Sequence, residues 1–191
     1  MKGARIMISL LLDTHDANLK IVLYKDGKLL DNIENKDTKN HSEICIPLLE
    51  RILEKNNLTV HNLNEIIACI GPGSFTGIRL GVTISKTLAY TLNIPIKTIT
   101  SIEMSYNPSI KEEYLLQEEK NGYYGAKINK EELIDYFYLT KSEFTNWKNN
   151  HSYVINHDIN LEIIPNIIKN KKVQNPHSIK PLYIKKIEAE K

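Results

Sequence analysis

Cysteine is scarce in this chain of 191 residues, which holds only two, Cys45 and Cys69. The two lie far apart and form no C-x-x-C pair, so neither a disulfide framework nor a structural zinc scaffold is expected. We predict that both are buried, reduced thiols of a cytoplasmic protein.

Long apolar runs are also missing. The run IMISLLL has seven residues and ends at Asp13, whereas a membrane span needs about 20. It follows Lys2 and Arg5, as in a signal peptide, but no small-x-small cleavage pattern follows it. The run therefore predicts a buried first strand and no membrane association. Met7 is a candidate natural start, with Met1 to Ile6 as a tail.

The chain has little charge of one sign. Its net charge is +2, it holds only three arginines, and no basic stripe interleaved with aromatics is present. Direct binding of nucleic acid is therefore disfavoured. The content of 41% hydrophobic and 25% charged residues is typical of a globular protein, and the length suits one domain or two small lobes.

The first hundred residues predict the order β-β-β-α-β-α-β, an α/β lobe with a mixed sheet and helical crossovers. Asp26-Gly27 predicts a hairpin. Pro47 predicts that the first helix either begins late or is kinked. The predicted strands are 8–13, one on each side of 25–28, 65–70 and 94–99, and the predicted helices are 41–56 and 78–92.

The pattern weakens after residue 100, so we predict a first lobe over 7–100 and a smaller, divergent second lobe over 101–191 that includes the C-terminal segment. The second lobe is expected to hold a hairpin around Asn121-Gly122. Its other predicted elements are a short helix at 141–148, a strand at 152–156, a helix at 162–172 and a terminal strand or extended tail at 179–186.

Four of the eight glycines fall in IGPGSFTGIRLGV, residues 70–82, between a predicted strand and a predicted helix. Phosphate can bind in this context, but the loop lacks the G-K-[ST] ending of a P-loop, and its glycine spacing is one residue too long for G-x-G-x-x-G. We favour a structural loop in which Pro72-Gly73 forms a turn and Ser74 or Thr76 caps the helix. Its residues are Gly71, Pro72, Gly73, Ser74, Phe75, Thr76, Gly77 and Gly81.

The two helices carry more small and apolar surface than one lobe needs. Gly81, Ser85 and Ala89 recur every four residues, which makes a flat stripe that another helix can approach closely. We predict a partner interface, the alternative being that all of this surface is internal core. The interface residues are Ile44, Cys45, Leu48, Ile52, Arg79, Val82, Ser85 and Ala89.

No cofactor is predicted, although Asp13, Thr14, Gly73 and Arg79 are candidates for contacting a nucleotide. A cation in the first helical turn is unfavourable for the helix dipole. Arg79 is therefore expected to pair with an acid, to reach a phosphate or to remain in solvent. Asp13 stands at the end of a strand without partner acids, and we interpret it as a cap or turn former.

Four segments together resemble the TsaB (YeaZ) family of threonylcarbamoyladenosine formation on tRNA. The match covers about residues 7–105 and, more weakly, the last dozen. The block GPGSFTGIRLG is highly specific to that family. The segments are DTHDANLKIVLYKDG, HSEICIPLLERIL, GPGSFTGIRLGV and PLYIKK.

The resemblance implies an actin-like (ASKHA), ribonuclease-H-like fold of two lobes, here with a reduced second lobe. It also implies a non-catalytic scaffold and activator whose helices at about 41–56 and 76–92 pack against matching helices of the catalytic subunit TsaD. A TsaE-like ATPase would join the assembly, the chain alone would be able to form a homodimer, and tRNA would be contacted only indirectly.

The related catalytic family carries a His-x-x-x-His metal pair, and Ser101 and Ser105 stand where that pair would fall. The six histidines include no pair four residues apart, so we expect neither a metal site nor peptidase activity. The alternative function is an independent nucleotide-binding or ATP-hydrolysing actin-like enzyme that uses Asp13-Thr14 and Gly71 to Gly77 as phosphate loops.

Overall fold

The computed structural model describes residues 6–36, 40–130 and 132–185, so the predicted tail lies outside the described residues except for Ile6. Two sheets make up the fold. The strands are β1 (Ile8–Asp13), β2 (Leu19–Lys25), β3 (Lys28–Asn35), β4 (Glu65–Cys69), β5 (Ile96–Ile99), β6 (Tyr114–Glu119), β7 (Gly122–Asn129), β8 (Glu132–Thr140) and β9 (Tyr153–Ile155), and the α-helices are α1 (His41–Lys55), α2 (Phe75–Leu92), α3 (Ser101–Met104), α4 (Lys141–Trp147) and α5 (Ile164–Lys169).

The first sheet has the order β3-β2-β1-β4-β5. Strands β1 to β3 form an antiparallel meander, and β4 and β5 continue the sheet in parallel with β1. The second sheet has the order β8-β7-β6-β9, and its four strands repeat the arrangement of β3-β2-β1-β4 in the first. The predicted element order of the first hundred residues is confirmed.

Both faces of the first sheet are buried, because alternate residues of its central strands face opposite layers. On β1, Leu10 and Leu12 pack with α1 and α2 in one apolar cluster. Leu11 lies between them in sequence and packs on the other face with Ile164 and Ile168 of α5.

The C-terminal segment returns to the first sheet after the second sheet is complete. Its helix α5 covers one face of that sheet, and Ile179 joins the cluster under α1 and α2 on the other face. The backbone N–H of Gln174 donates to the carbonyl oxygen of Ile96 at 2.9 Å. The lobe boundary at residue 100 stays a prediction, and residues 164–179 pack on the first sheet.

Several predicted elements differ in detail from the observed ones. Strand β8 was missed, the helix predicted at 162–172 is limited to α5, and residues 181–184 form no strand. The hairpin between β6 and β7 is confirmed, but Glu119 pairs with Gly122, so the turn residues are Lys120 and Asn121.

Helix α1 begins at His41 and includes Pro47, so of the two predicted alternatives, a late start or a kink, the late start is wrong. A proline at this position removes the hydrogen bond that residue 47 would donate to residue 43 and crowds that carbonyl group. The side chain of Pro47 is exposed, so its apolar surface gains little from packing within the chain.

Replacing this proline, as Pro47→Ala, should raise the free energy of unfolding by about 2 kcal/mol. The helix-interior cost of proline is about 3 kcal/mol, and the greater freedom of the unfolded alanine chain offsets up to about 1 kcal/mol of the gain. Urea denaturation followed by circular dichroism measures the difference. Pro165→Ala is the matched control, because Pro165 lies in the first turn of α5, where proline is tolerated. Equal effects of the two substitutions would contradict this account.

Candidate functional site

The glycine loop packs against the chain segment that follows β1. At Gly73, Gly77 and Gly81 an added Cβ atom would overlap His15 O, Thr14 O and Thr14 Oγ1, respectively. Two hydrogen bonds join the same elements: Ser74 N donates to His15 O at 2.6 Å, and Thr14 Oγ1 donates to Gly77 O at 2.6 Å. These glycines therefore allow the loop and the start of α2 to approach the segment after β1.

The start of α2 has the predicted capping residue. The backbone N–H of Gly77 donates to Ser74 Oγ at 3.3 Å, so the prediction of a cap at Ser74 or Thr76 is confirmed for Ser74. The flat stripe of Gly81, Ser85 and Ala89 is buried and belongs to the internal packing of α2. The element that approaches Gly81 is the segment after β1 rather than a second helix.

A buried carboxylate and an imidazole form a close pair beneath this loop. Asp13 Oδ1 accepts hydrogen bonds from the backbone N–H of His15 at 3.0 Å and is 2.7 Å from His15 Nδ1. Burial raises the pKa of Asp13, but the charge and hydrogen bonds of His15, with help from Lys20, outweigh it and lower that pKa to about 2. Burial lowers the pKa of His15, and the Asp13 carboxylate more than compensates, so the net shift is upward.

A cleft of about 650 Å³ opens beside this pair. One wall is made by His15, Gly73 and Thr76 of the first lobe, and the other by residues around Glu118 and His157. The backbone N–H of Glu118 donates to His157 Nε2 at 3.0 Å, which ties the C-terminal segment to the second sheet. The cleft is the cavity in which the alternative, nucleotide-binding function would take place.

Ser101 and Ser105 bind the side chain of Gln117. Gln117 Nε2 donates to Ser101 O at 3.1 Å and to Ser105 Oγ at 3.0 Å. Ser101 Oγ also donates to the carbonyl oxygen of Pro72 in the glycine loop at 2.8 Å. This buried network joins β6 of the second sheet to the glycine loop.

The four nucleotide-contact candidates do not form one site. Gly73 lines the cleft, but Asp13 and Thr14 are buried, and Asp13 Oδ1 and Thr14 Oγ1 bond within the chain. Arg79 lies outside the cleft, in a groove of about 500 Å³ between α2 and the C-terminal segment. A nucleotide in the cleft would therefore contact at most Gly73 of the four.

Arg79 contacts aromatic rings, which none of the three sequence-based alternatives anticipated. Its guanidinium carbon lies 3.7 Å from the centroid of the Phe75 ring, and its Nε donates to Tyr183 Oη at 2.7 Å. The rings of Phe75 and Tyr183 are 5.2 Å apart. These contacts hold the C-terminal segment against the first turn of α2.

Five of the predicted interface residues are buried in the chain's own core, and for these the alternative of internal core applies. The corrected residues are Cys45, Ile52, Val82, Ser85 and Ala89. Ile44 and Leu48 are half-buried, and Arg79 is exposed. The exposed apolar side chains that sequence analysis missed are Ile46 on α1, and Phe75 and Tyr90 on α2. The sequence pattern that could have identified them is an apolar residue that lies outside the core-facing stripe of its helix.

Because Gly81 lies so close to Thr14, we predict that an added side chain at Gly81 changes the free energy of unfolding. Gly81→Ala should lower the free energy of unfolding by about 1–3 kcal/mol through overpacking against Thr14, although alanine is the better helix former by about 1 kcal/mol. Thr14→Ala removes the overlapping oxygen and also a hydrogen bond worth about 1 kcal/mol. The double variant should therefore be more stable than the sum of the single effects predicts, by at least about 0.5 kcal/mol. Urea denaturation of all four proteins measures this coupling, and strict additivity would contradict the packing account.

Known proteins resemble this chain in both sequence and fold. The family model described as TsaD, tRNA N6-adenosine threonylcarbamoyltransferase, matches residues 28–115. The TsaB protein of Bacillus subtilis is 36% identical over 97 residues, which are 51% of this chain and 42% of that protein. The chain thus spans less than half of this curated relative. Uncharacterized protein MG208 of Mycoplasma genitalium is 25% identical over 181 residues, covering 88% of this chain and 89% of that protein.

The fold agrees with a solved structure. YeaZ from Pseudomonas aeruginosa superposes with a TM-score of 0.71, over 93% of this chain and 99% of that chain, at 14% sequence identity. At this identity the likeness shows the fold alone, and it confirms the predicted fold class. Over about half of its length this chain is thus similar in sequence to the TsaB proteins of Bacillus subtilis and Escherichia coli, and it shares the fold of YeaZ.

Proposed function

We propose that this chain is a non-catalytic subunit in threonylcarbamoyladenosine formation on tRNA, where it binds and activates a TsaD-like enzyme through α1 and α2. The observation that carries the proposal is the match of the TsaD family model to residues 28–115, because this range includes α1, the glycine loop and α2. A TsaD-like partner then carries a comparable pair of helices. Two similar faces can pack against each other about a pseudo-twofold axis.

The outer surfaces of the two helices support this mode of binding. Ile46 on α1 is 42% exposed, and Phe75 and Tyr90 on α2 are 40% and 64% exposed. Half-buried apolar side chains also follow both helices, Leu48 on α1 and Ile84 on α2 among them. Such apolar surface, rimmed by polar residues, is typical of protein–protein interfaces.

Of the other proposed partners, a second copy of this chain would use the same surface. A second copy of this chain offers an identical pair of helices, so a homodimer in the absence of the enzyme would use and block this face. A TsaE-like ATPase would join the assembly elsewhere, and tRNA would be contacted through the complex, in the cytoplasm. The helices within the described part of the chain lack the length and apolarity that crossing a bilayer requires.

The substitution Ile46→Asp should weaken binding to a purified TsaD-like subunit by at least about tenfold, or 1.4 kcal/mol, because a charge would replace an apolar side chain in the interface. Isothermal titration calorimetry measures the affinity. Ile155→Asp is the matched control: Ile155 is 40% exposed and lies on β9 of the second sheet. Wild-type affinity of Ile46→Asp, or an equal loss in both variants, would contradict the proposed interface.

The cleft favours a second candidate function, an independent nucleotide-binding or ATP-hydrolysing enzyme. Its volume of about 650 Å³ would accommodate a nucleotide. The use of Gly73 and Gly77 to pack against His15 and Thr14 counts against a phosphate-binding role of these glycines.

For the purified chain alone we expect no ATP turnover above that of buffer, because its glycine loop is used for internal packing. A coupled phosphate-release assay measures the rate, with His15→Gln as the paired variant because His15 lines the cleft. Turnover in the wild-type protein that is lost in His15→Gln would favour the enzyme over the scaffold.

A further inference from the structure

Three side chains of different types converge beneath the glycine loop. Asp13 ends β1, His15 follows it by two residues, and Cys69 ends the neighbouring parallel strand β4. One ligand atom from each, a carboxylate oxygen, an imidazole nitrogen and the thiol sulfur, lies within 4.8 Å of the other two. Because the carboxyl ends of parallel strands share one edge of the sheet, the topology brings these residues together.

The carboxylate has an unused binding position. Asp13 is fully buried, and within the described ranges its Oδ2 finds no hydrogen-bond partner of acceptable geometry. The nearest cation, Lys20 Nζ, is 3.8 Å away, beyond hydrogen-bond distance. A buried carboxylate oxygen without a partner is costly, and a directly bound cation would satisfy it.

We propose that Asp13, His15 and Cys69 form a binding site for a zinc-class divalent ion. Carboxylate, imidazole and thiolate are the three kinds of ligand that proteins use for zinc. Around a tetrahedral ion these atoms would stand about 3.3–3.6 Å apart, so small side-chain rotations would bring the observed set into place. Oxygen-preferring ions such as magnesium would not select a thiol.

The surroundings allow an ion to reach the site. His15 lines the cleft and its side chain is 11% exposed, so the ion and a water molecule as fourth ligand can arrive from that side. On binding, the thiol proton of Cys69 leaves to solvent as the sulfur–metal bond forms. His15 Nδ1 also releases its proton to solvent, so that the contact between Asp13 and His15 Nδ1 is replaced by a bond from each residue to the metal. The imidazole keeps its proton on Nε2, and Asp16 Oδ2, 3.8 Å away, would accept a hydrogen bond from it after a small side-chain movement.

An ion at this site would stabilise the contact between the segment after β1 and the glycine loop. It would hold the segment from Asp13 to His15, which bonds to the loop and to α2 through His15 O and Thr14 Oγ1. Binding to the folded state alone raises the melting temperature. The site therefore goes beyond the proposed scaffold function, since it concerns the stability of the chain rather than its partner.

Zinc binding by untagged, metal-free protein tests the site, with a chromophoric chelator as competitor. We expect one zinc ion per chain and a rise in melting temperature. Cys69→Ser and His15→Gln should each lower the affinity at least about tenfold, since even outer-shell changes cost 10–100-fold. Cys45→Ser and His41→Gln are the matched controls, a buried cysteine and a cleft histidine outside the cluster. No zinc binding, or equal binding by all four variants, would overturn the proposal.

Cobalt(II) spectroscopy tests the site in the wild-type protein, so its result does not depend on whether Cys69→Ser or His15→Gln folds. One bound cobalt ion should give a thiolate-to-cobalt charge-transfer band and the strong visible absorption of a tetrahedral site. Zinc should displace both signals. Cobalt bound without the thiolate band would overturn the assignment of Cys69. Neither readout depends on a TsaD-like subunit, so failure here is distinguishable from failure of the proposed interface.

Discussion

The close approach between the segment after β1 and the start of α2 is the constraint on which the rest of this structure depends. Three glycines lack the Cβ atoms that would overlap Thr14 and His15, and two short hydrogen bonds hold the contact. This contact positions α2 over the sheet and places His15 at the edge of the cleft. The glycine loop, for which the sequence favoured a structural role over phosphate binding, packs within the chain.

The second sheet depends on the same loop through a different contact. Ser101 bonds to Pro72 of the loop and to Gln117 of β6, and Gln117 also binds Ser105. All three side chains are buried, so the loss of one partner would leave the others unsatisfied, at a cost of about 1–3 kcal/mol per group. Ser101 and Ser105, four residues apart, therefore have a structural role, because they join the second sheet to the glycine loop.

The parts of the fold that sequence predicted are those fixed by local patterns. Apolar runs predicted the buried strands, and Asp26-Gly27 predicted the hairpin between β2 and β3. Strand β8 was missed because Asp135 adopts a left-handed conformation (φ 51°) near a register shift, which interrupts the strand pattern. Five of the eight predicted interface residues are buried for a different reason: periodicity identifies an apolar stripe but cannot say whether the chain's own sheet already covers it. Ser85 and Ala89 face inward, and Ile46 lies outside the stripe.

The candidate site could be predicted from the sequence only in part, because it is built from contacts between residues that are distant in sequence. Arg79 and Tyr183 are 104 residues apart, and Cys69 meets Asp13 only because β1 and β4 are neighbours in the sheet. A search for histidine pairs on one helix would not find such a cluster, since its ligands come from two strand ends and a loop. The cluster lies under the loop, whereas Ile46 and Tyr90 lie exposed on the helices. Partner binding and ion binding can therefore be separated by substitution.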